Sequence, residues 1–191
     1  MPQTDRIRYF AYGANMCSDV FVRRRRIQTF SSEVARLDGY RLVFTEPGIP
    51  ILEPVFASIE ADRQSCVYGV LYELPASAIA VLDSFEGNGY KRFELEVIGL
   101  QTGVITAWVY RSRQDKRGLL PSRRYLQLMV KAACEQGFPQ EYIDAISAHP
   151  SVHIPLLSSL VPRAVDTLER AQQRSPWVAK ATQVFWSLLE K

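Results

Sequence analysis

The chain has 191 residues, of which 47% are hydrophobic and 23% are charged, and its formal net charge is +3. These values predict a soluble globular protein, most simply one domain with a substantial core, and so small a net charge gives no support to nucleic-acid binding. Because no apolar run approaches the ~18 residues that span a bilayer, and the N-terminus lacks a secretory signal, we expect a cytoplasmic protein without a membrane span.

Strand patterns dominate the first two-thirds of the chain. They are short runs rich in aromatic and β-branched residues, at 7–12, 40–45, 56–60, 66–73, 91–100 and 104–111. Asp38-Gly39 is expected to form a turn before the second strand, and Thr102-Gly103 to join the last two strands as a hairpin. The first strand stops abruptly at Gly13, because Gly-Ala-Asn is a poor continuation of a strand.

Helical periodicity appears in three segments that lie between or after these strands. Helices are expected over 75–86, 121–136 and 139–148, each opened by a proline. Glycines at 87, 89 and 137 mark the ends of the first two helices. A sheet-rich region with one inserted helix, followed by further helices, predicts an α+β fold.

Residues 150–191 are predicted to form a helical C-terminal extension of a domain that covers residues 1–149. Apolar residues from Trp177 to Leu189 fall on one stripe of a helix, and Ser175-Pro176 provides a start signal. We expect this stripe to pack on the domain, with a homodimer contact or a membrane surface as the alternatives.

Three groups of charged or reactive residues have simple structural interpretations. The run Arg23–Arg26 is expected to form a solvated helix face, with attraction of an acidic substrate as the alternative. His149 and His153 flank Pro150, which disfavours a helix with both rings on one face, so we expect two solvated imidazoles and no metal site. The three cysteines lack a CxxC pair and favour reduced thiols, and Cys17 is expected to be a small buried residue rather than a nucleophile.

A carboxylate is the remaining candidate for chemistry. Glu86 closes the first predicted helix beside Phe85, immediately before the sequence Gly-Asn-Gly. The helix dipole disfavours a carboxylate at a helix C-terminus, so this placement is mildly costly. A carboxylate held there suits general acid/base chemistry, and an exposed terminal glutamate is the alternative that the residues alone leave open.

Three stretches, in this order, resemble the γ-glutamylcyclotransferase family. They are YFAYGANM at 9–16, LDSFEGNGY at 82–90 and the segment that begins with PSRRY at 121. The family carries a YGSN-type loop after its first strand, an LDxxEG segment with the catalytic glutamate, and a Pro-Ser-x-x-Tyr helix. The similarity covers residues 7–148, and the tail from residue 150 lies outside it.

The resemblance implies a small mixed β-barrel flanked by helices, with the substrate in a cavity at one end. It also implies an enzyme that acts without a metal or an organic cofactor. In the family's reaction, the free α-amine of a γ-glutamyl compound attacks its own γ-carbonyl, which closes 5-oxoproline and expels an amine or amino acid. A small-molecule γ-glutamyl substrate is therefore the expected partner.

The resemblance further assigns residues to the site. Glu86 matches the family's catalytic glutamate, which takes a proton from the α-ammonium and returns one to the leaving nitrogen. The loop is expected to hold the γ-glutamyl group through its backbone amides, because Gly13 has no Cβ in the way. The residues expected to bind substrate are Tyr12, Gly13, Ala14, Asn15, Met16, Tyr90, Tyr110 and Tyr125. For the tyrosines, a place in the barrel core is the alternative.

Two features depart from the family pattern. Ala14 stands where the family loop usually has serine, so one hydroxyl is lost. The proline-rich acidic stretch 46–60 is expected either to shape a leaving-group pocket or to form a rim loop. On the same fold, the alternative functions are a deglutamylating or amide-cleaving enzyme of specialised metabolism and a non-catalytic binding module.

Overall fold

The computed structural model describes residues 5–49 and 53–153. Within these residues, five strands form a closed barrel, accompanied by three helices. The strands are β1 Arg6–Ala11, β2 Ser31–Ile49, β3 Glu53–Pro75, β4 Tyr90–Gly99 and β5 Gly103–Ser112. The helices are α1 Ala78–Glu86, α2 Arg123–Glu135 and α3 Gln140–Ser147. The predicted α+β fold, a mixed barrel flanked by helices, is therefore confirmed.

The strands pair in the order β1-β3-β2-β4-β5. These neighbours are antiparallel, and the barrel closes where β1 meets β5 in parallel, with Tyr9 opposite Trp108. Closure pairs the backbone groups that an open sheet would leave at its edges. The end of β1 at Ala11 is thereby fixed in the barrel wall, and the small-residue loop begins directly after it.

Two strands are longer than the sequence predicts. β2 continues through Gly39, where a register shift between Asp38 and Tyr40 marks a β-bulge and the φ of Gly39 is 77°. The predicted turn is wrong because β2 continues through this left-handed glycine, and the residues in excess of a regular register lie on β3, between Ala61 and Cys66. The predicted strands 56–60 and 66–73 are likewise parts of one strand, β3.

The three predicted helices are confirmed, and two of their ends position residues of the predicted site. α1 ends at Gly87, which has a φ of 58° and donates its N–H to the carbonyl of Asp83. α2 begins after Ser122, whose hydroxyl oxygen accepts from the N–H of Tyr125 at 3.0 Å. The first end places Glu86, and the second places Tyr125.

A buried carboxylate ties β3 to the start of α2. Glu53 is 0% exposed, its Oε1 accepts from Arg124 Nε at 2.5 Å, and its Oε2 accepts from Ser122 Oγ at 2.5 Å. These bonds offset the cost of removing an ionised carboxylate from water. The tie fixes Ser122 and, through the helix cap, the position of Tyr125.

The predicted extension over 150–191 lies almost entirely outside the described residues, as does its apolar stripe from Trp177 to Leu189. The division of the chain after residue 149 therefore stays a prediction. No helix in the described part of the chain is long and apolar enough to cross a membrane.

Replacing Glu53 tests how much the buried tie contributes to stability. We expect Glu53→Gln to lower the free energy of unfolding by about 3 kcal/mol, the lower end of the loss when one partner of a buried pair is removed. Glu60→Gln is the matched control, because Glu60 lies on the same strand but pairs with Arg41 and Arg117 near the surface. Such surface pairs contribute less than about 1 kcal/mol. Urea unfolding measures the free energy of unfolding of both variants. Equal decreases for the two would contradict a stabilising role for the buried Glu53 contacts.

Candidate active site

Glu86 ends α1 and directs its carboxylate towards the loop that follows β1. Its Oε1 accepts from Asn15 Nδ2 at 3.1 Å and from Arg25 Nη1 at 3.0 Å. The side chain is 13% exposed, so the alternative of an exposed terminal glutamate does not hold. The structure thus brings the predicted acid/base next to a residue of the predicted substrate loop.

Arg25 reaches Glu86 from a wide helical turn. Residues Asp19–Arg24 form a π-helical turn, closed by the N–H of Arg25 on the carbonyl of Val20 at 3.0 Å. The guanidinium lies 4.5 Å from the centroid of the Phe85 ring, and the side chain is 13% exposed. The prediction of a solvated face is therefore wrong for Arg25, although it holds for Arg23, whose side chain is 81% exposed.

Asn15 connects the loop to Glu86 and to two tyrosines that sequence analysis did not assign to the site. Its Nδ2 also donates to the Tyr9 hydroxyl oxygen at 2.8 Å, and its backbone carbonyl oxygen accepts from the Tyr72 hydroxyl at 3.0 Å. Its Oδ1 is buried and has no hydrogen-bond partner among the described residues. Because an unpaired buried acceptor is costly, this oxygen is available to a donor on a ligand.

The loop after β1 forms one 3-10 turn over Ala14–Met16. The N–H of Met16 donates to the carbonyl of Gly13 at 3.0 Å, so this amide is used within the turn. A Cβ at residue 13 would lie 3.0 Å from the Tyr125 hydroxyl oxygen, and glycine therefore lets the phenol lie against the loop. Met16 is fully buried in the core, and Ala14 packs half-buried against it.

Tyr125 presents a phenol whose proton is available. Its oxygen accepts from the N–H of Ala57 at 3.3 Å and also interacts with the N–H of Ala14. Since these two donors occupy the oxygen lone pairs, the O–H group is left to donate to a ligand. Burial raises the pKa of Tyr125 above its usual value, so the phenol keeps this proton at neutral pH.

The other predicted tyrosines donate to groups of the protein itself. Tyr12 donates to the carbonyl of Tyr110 at 2.5 Å, and Tyr90 donates to the carbonyl of Ala57 at 2.7 Å. Tyr110 donates to Asp83 Oδ1 at 2.6 Å. These three hydroxyls hold the surroundings of the site together, and their protons are already committed.

The charge of Glu86 extends over a group of buried phenols. Burial is the larger cause that raises their pKa values, and the negative charge of Glu86 adds to it. The phenols affected are Tyr9, Tyr12, Tyr90 and Tyr125. One carboxylate is therefore surrounded by phenols that stay protonated.

Glu46 is a second carboxyl group near Glu86, and sequence analysis did not identify it. It is 7% exposed on β2, and its Oε2 accepts from Ser112 Oγ at 2.6 Å. Burial, and then the charge of Glu86, raise the pKa of Glu46, while the Ser112 hydrogen bond lowers it in part. The rim-loop expectation for 46–60 is wrong for residues 46–49 and 53–60, which extend β2 and β3.

The remaining candidates lie apart from this arrangement. Cys17 is buried, as predicted, with 2% exposure. His153 is exposed, and His149 is half-buried with its ring centroid 4.5 Å from that of Phe44. Over residues 5–49 and 53–153, no three His, Cys, Asp or Glu side chains are grouped so as to hold a metal ion.

Comparison of the sequence with known proteins gives consistent relatives. It matches the AIG2-like family over residues 66–146. It is 30% identical over 146 residues to the γ-glutamylcyclotransferase of Mus musculus, covering 73% of this chain and 77% of the mouse protein. It is 28% identical over 147 residues to the γ-glutamyl cyclotransferase gliK of Claviceps purpurea, covering 71% of this chain. This chain spans 66% of the length of that fungal protein.

Solved structures share the fold. A structure described as a γ-glutamyl cyclotransferase superposes with a TM-score of 0.69 at 22% identity, covering 83% of this chain and 99% of that one. A human protein described as the uncharacterized protein loc79017 also gives 0.69, at 24% identity, covering 82% of this chain and 98% of its own. At these identities the likeness concerns the barrel and its helices.

Ionisation of Glu46 is expected to lower stability as the pH rises. Because the pKa of this carboxyl lies above its usual 4.5 in the folded protein, folding retains a proton that the unfolded chain releases. The resulting stabilisation is complete below the usual value and is lost as the pH rises through the raised pKa.

In the Glu46→Gln variant the side chain resembles the protonated acid and cannot ionise. The variant therefore does not lose stability as the pH rises through the pKa of Glu46. Relative to the wild type, its free energy of unfolding should therefore increase as the pH rises from the usual 4.5 through the raised pKa of Glu46. Urea unfolding at a series of pH values measures the difference, with Glu96→Gln, exposed on β4, as the control. A difference for Glu46→Gln that stays constant with pH would contradict the raised pKa.

Proposed function

We propose that this chain, which belongs to the γ-glutamylcyclotransferase family, releases 5-oxoproline from a γ-glutamyl compound by intramolecular aminolysis. The products are 5-oxoproline and a free amine or amino acid. The observation that carries this proposal is the carboxylate of Glu86, largely buried and held by Asn15 and Arg25 beside the turn at Gly13.

Glu86 is assigned the proton transfers. The α-ammonium of the substrate must lose a proton before its nitrogen can attack the γ-carbon, and a carboxylate within reach can accept it. Arg25 and Asn15 both donate to Oε1 and so fix the orientation of the group, and we assign Oε2 to the substrate proton. One carboxylate that shuttles a proton can also supply the leaving nitrogen.

Asn15 and Tyr125 are assigned to bind and orient the substrate. The unpaired Oδ1 of Asn15 accepts an N–H bond from the α-ammonium and so orients the nucleophile beside Glu86. Negative charge develops on the γ-carbonyl oxygen as the tetrahedral intermediate forms, and the free O–H of Tyr125 is the donor that we place on it. Because Ala14 contributes through its backbone N–H, the missing serine hydroxyl leaves these roles unchanged.

The alternatives differ in what they require of the site. A non-catalytic binding module predicts a closed cavity, or one that leaves Glu86 outside it, and the bond from Asn15 to the Glu86 carboxylate at 3.1 Å supports a place for Glu86 at the loop. A deglutamylating enzyme uses the same carboxylate on water and yields glutamate instead of 5-oxoproline. A panel of γ-glutamyl amines and amino acids, with 5-oxoproline measured as the product, separates the two and identifies the leaving group.

Glu86→Gln tests the assigned acid/base. The amide oxygen can still accept from Asn15 and Arg25, so the fold should persist, while the proton transfers are lost. We expect turnover to fall by roughly 10²–10⁴-fold, the contribution of a general acid/base. Glu94→Gln, exposed on β4, is the control and should keep wild-type turnover. Retained 5-oxoproline release by a folded Glu86→Gln variant would rule out the assignment.

Tyr125→Phe tests the assigned carbonyl donor. Removing one such donor should lower kcat by roughly 10²–10³-fold with a smaller change in KM, because the bond strengthens only as charge develops. Tyr142→Phe is the control, since the Tyr142 hydroxyl bonds the carbonyl of Tyr68, away from Glu86. Steady-state kinetics on one γ-glutamyl amide measure both variants. An unchanged kcat for Tyr125→Phe would show that the Tyr125 hydroxyl does not donate to the γ-carbonyl oxygen.

A further inference from the structure

The side-chain amide of Asn15 lies between a phenol and the Glu86 carboxylate. Its Nδ2 donates one proton to Glu86 Oε1 at 3.1 Å and the other to the Tyr9 hydroxyl oxygen at 2.8 Å. An amide nitrogen carries only these two protons, so both are used. The direction of the Asn15 amide is therefore set by two acceptors, one on Glu86 and one on Tyr9.

The reverse orientation of the amide is unfavourable. It would place Oδ1 of Asn15 against Glu86 Oε1, and two oxygens that only accept would then face each other. The Tyr9 hydroxyl suits either orientation, because a phenol can accept from an amide N–H or donate to an amide oxygen. The charge of Glu86 thus selects the orientation, and the bond to Tyr9 holds the amide in it.

The ring of Tyr9 is held by the barrel wall and by other rings. Tyr9 is 3% exposed and lies on β1 opposite Trp108, where the barrel closes. Its ring stacks on Phe21 and Tyr72, with centroids 5.6 and 6.4 Å away, and it meets the ring of Tyr110 edge-on at 5.8 Å. Because three rings confine it, its hydroxyl oxygen is a fixed point for the loop after β1.

A second phenol fixes the backbone of the same loop residue. Tyr72 donates its hydroxyl to the backbone carbonyl oxygen of Asn15 at 3.0 Å. Tyr9 on β1 and Tyr72 on β3 are directly opposite each other in the antiparallel pair, so their side chains lie on one face of the sheet. One of these hydroxyls fixes the backbone of Asn15, and the other fixes its side chain.

The Tyr9 phenol stays neutral beside the carboxylate. Burial, and then the charge of Glu86, raise the pKa of Tyr9 above its usual value, although the bond from Asn15 lowers it in part. At neutral pH the oxygen that faces Asn15 is therefore an uncharged acceptor. The negative charge that the Asn15 amide meets is that of Glu86.

We propose that Tyr9 is a positioning residue of the reaction, which aims the Asn15 amide so that Nδ2 holds Glu86 and Oδ1 is left for the substrate. This inference rests on the proposed function, in which Oδ1 accepts from the α-ammonium and Glu86 takes the proton. Tyr9 acts through Asn15 and exchanges no proton with the substrate. Without its hydroxyl, one Nδ2 proton loses its acceptor, so the amide can turn away from Glu86.

A double-mutant cycle separates this role from packing. Tyr9→Phe keeps the ring and removes only the hydroxyl. We expect it to lower kcat on one γ-glutamyl amide by roughly 10- to 100-fold, the scale of loss when a reacting group is displaced by about 1 Å. In an Asn15→Ala background, the same change should alter kcat by less than about twofold, because the amide that Tyr9 positions is gone. Tyr142→Phe is the control and should leave kcat unchanged in both backgrounds.

The side-chain amide of Asn15 also reports the contact without turnover. In the isotopically labelled wild type, nuclear magnetic resonance should show both of its protons shifted downfield, as expected for two hydrogen-bonded protons. The two signals are identified by their absence from Asn15→Ala. In Tyr9→Phe, the signal of the proton directed to Tyr9 should move upfield, whereas Tyr142→Phe should leave both signals in place.

Each outcome decides the proposal. Equal losses of kcat in the two backgrounds, or an unchanged kcat for Tyr9→Phe beside an inactive Glu86→Gln, overturn this role and leave the proposed function standing. If a variant does not fold or has no measurable turnover, the wild-type signals decide: an Asn15 amide proton at the position of a free amide overturns the role. If the wild type releases 5-oxoproline from no γ-glutamyl compound, the proposed function itself fails and this role falls with it.

Discussion

The burial of one carboxylate governs the arrangement of the site. Glu86 leaves the end of α1 with 13% of its side chain exposed, where an ionised group is costly unless donors surround it. Arg25 and Asn15 supply these donors, and each is presented by an irregular turn. The wide turn over Asp19–Arg24 aims Arg25, and the 3-10 turn over Ala14–Met16 aims Asn15. The irregular chain between β1 and β2 is therefore what lets a barrel of ordinary strands carry a buried carboxylate.

The barrel wall determines which of the surrounding tyrosine hydroxyls keep a free proton and which donate it to the protein. Ala57 on β3 accepts from Tyr90 through its carbonyl and donates to Tyr125 through its N–H. The first bond commits the proton of Tyr90 to the protein, whereas the second leaves the proton of Tyr125 free. Because burial keeps both phenols protonated, this difference persists at neutral pH. A single strand residue thus determines which tyrosine can serve as a donor to a ligand.

The site residues that could be predicted are those whose positions are determined by the residues next to them in the sequence. Glu86 precedes a glycine that ends its helix, and Asn15 follows a glycine that ends its strand, so both were predicted. Arg25 could not be distinguished from its three identical neighbours, because a turn one residue wider than usual selects it. Glu46 was missed because the predicted strand ends at residue 45, whereas β2 continues to Ile49 past a bulge between Phe44 and Glu46. The length of β2 was underestimated because Asp38-Gly39 suits a turn, whereas β2 continues through Gly39 and the extra residues lie on β3, between Ala61 and Cys66.

The central claim is that the substrate's own α-amine, and not water, attacks the γ-carbonyl beside Glu86. It is tested most directly by incubating the chain with a γ-glutamyl amide in water labelled with heavy oxygen and analysing the products by mass spectrometry. The account predicts unlabelled 5-oxoproline and the free amine in equal amounts. Glutamate carrying the label in its γ-carboxylate would contradict it, because that product requires attack by water.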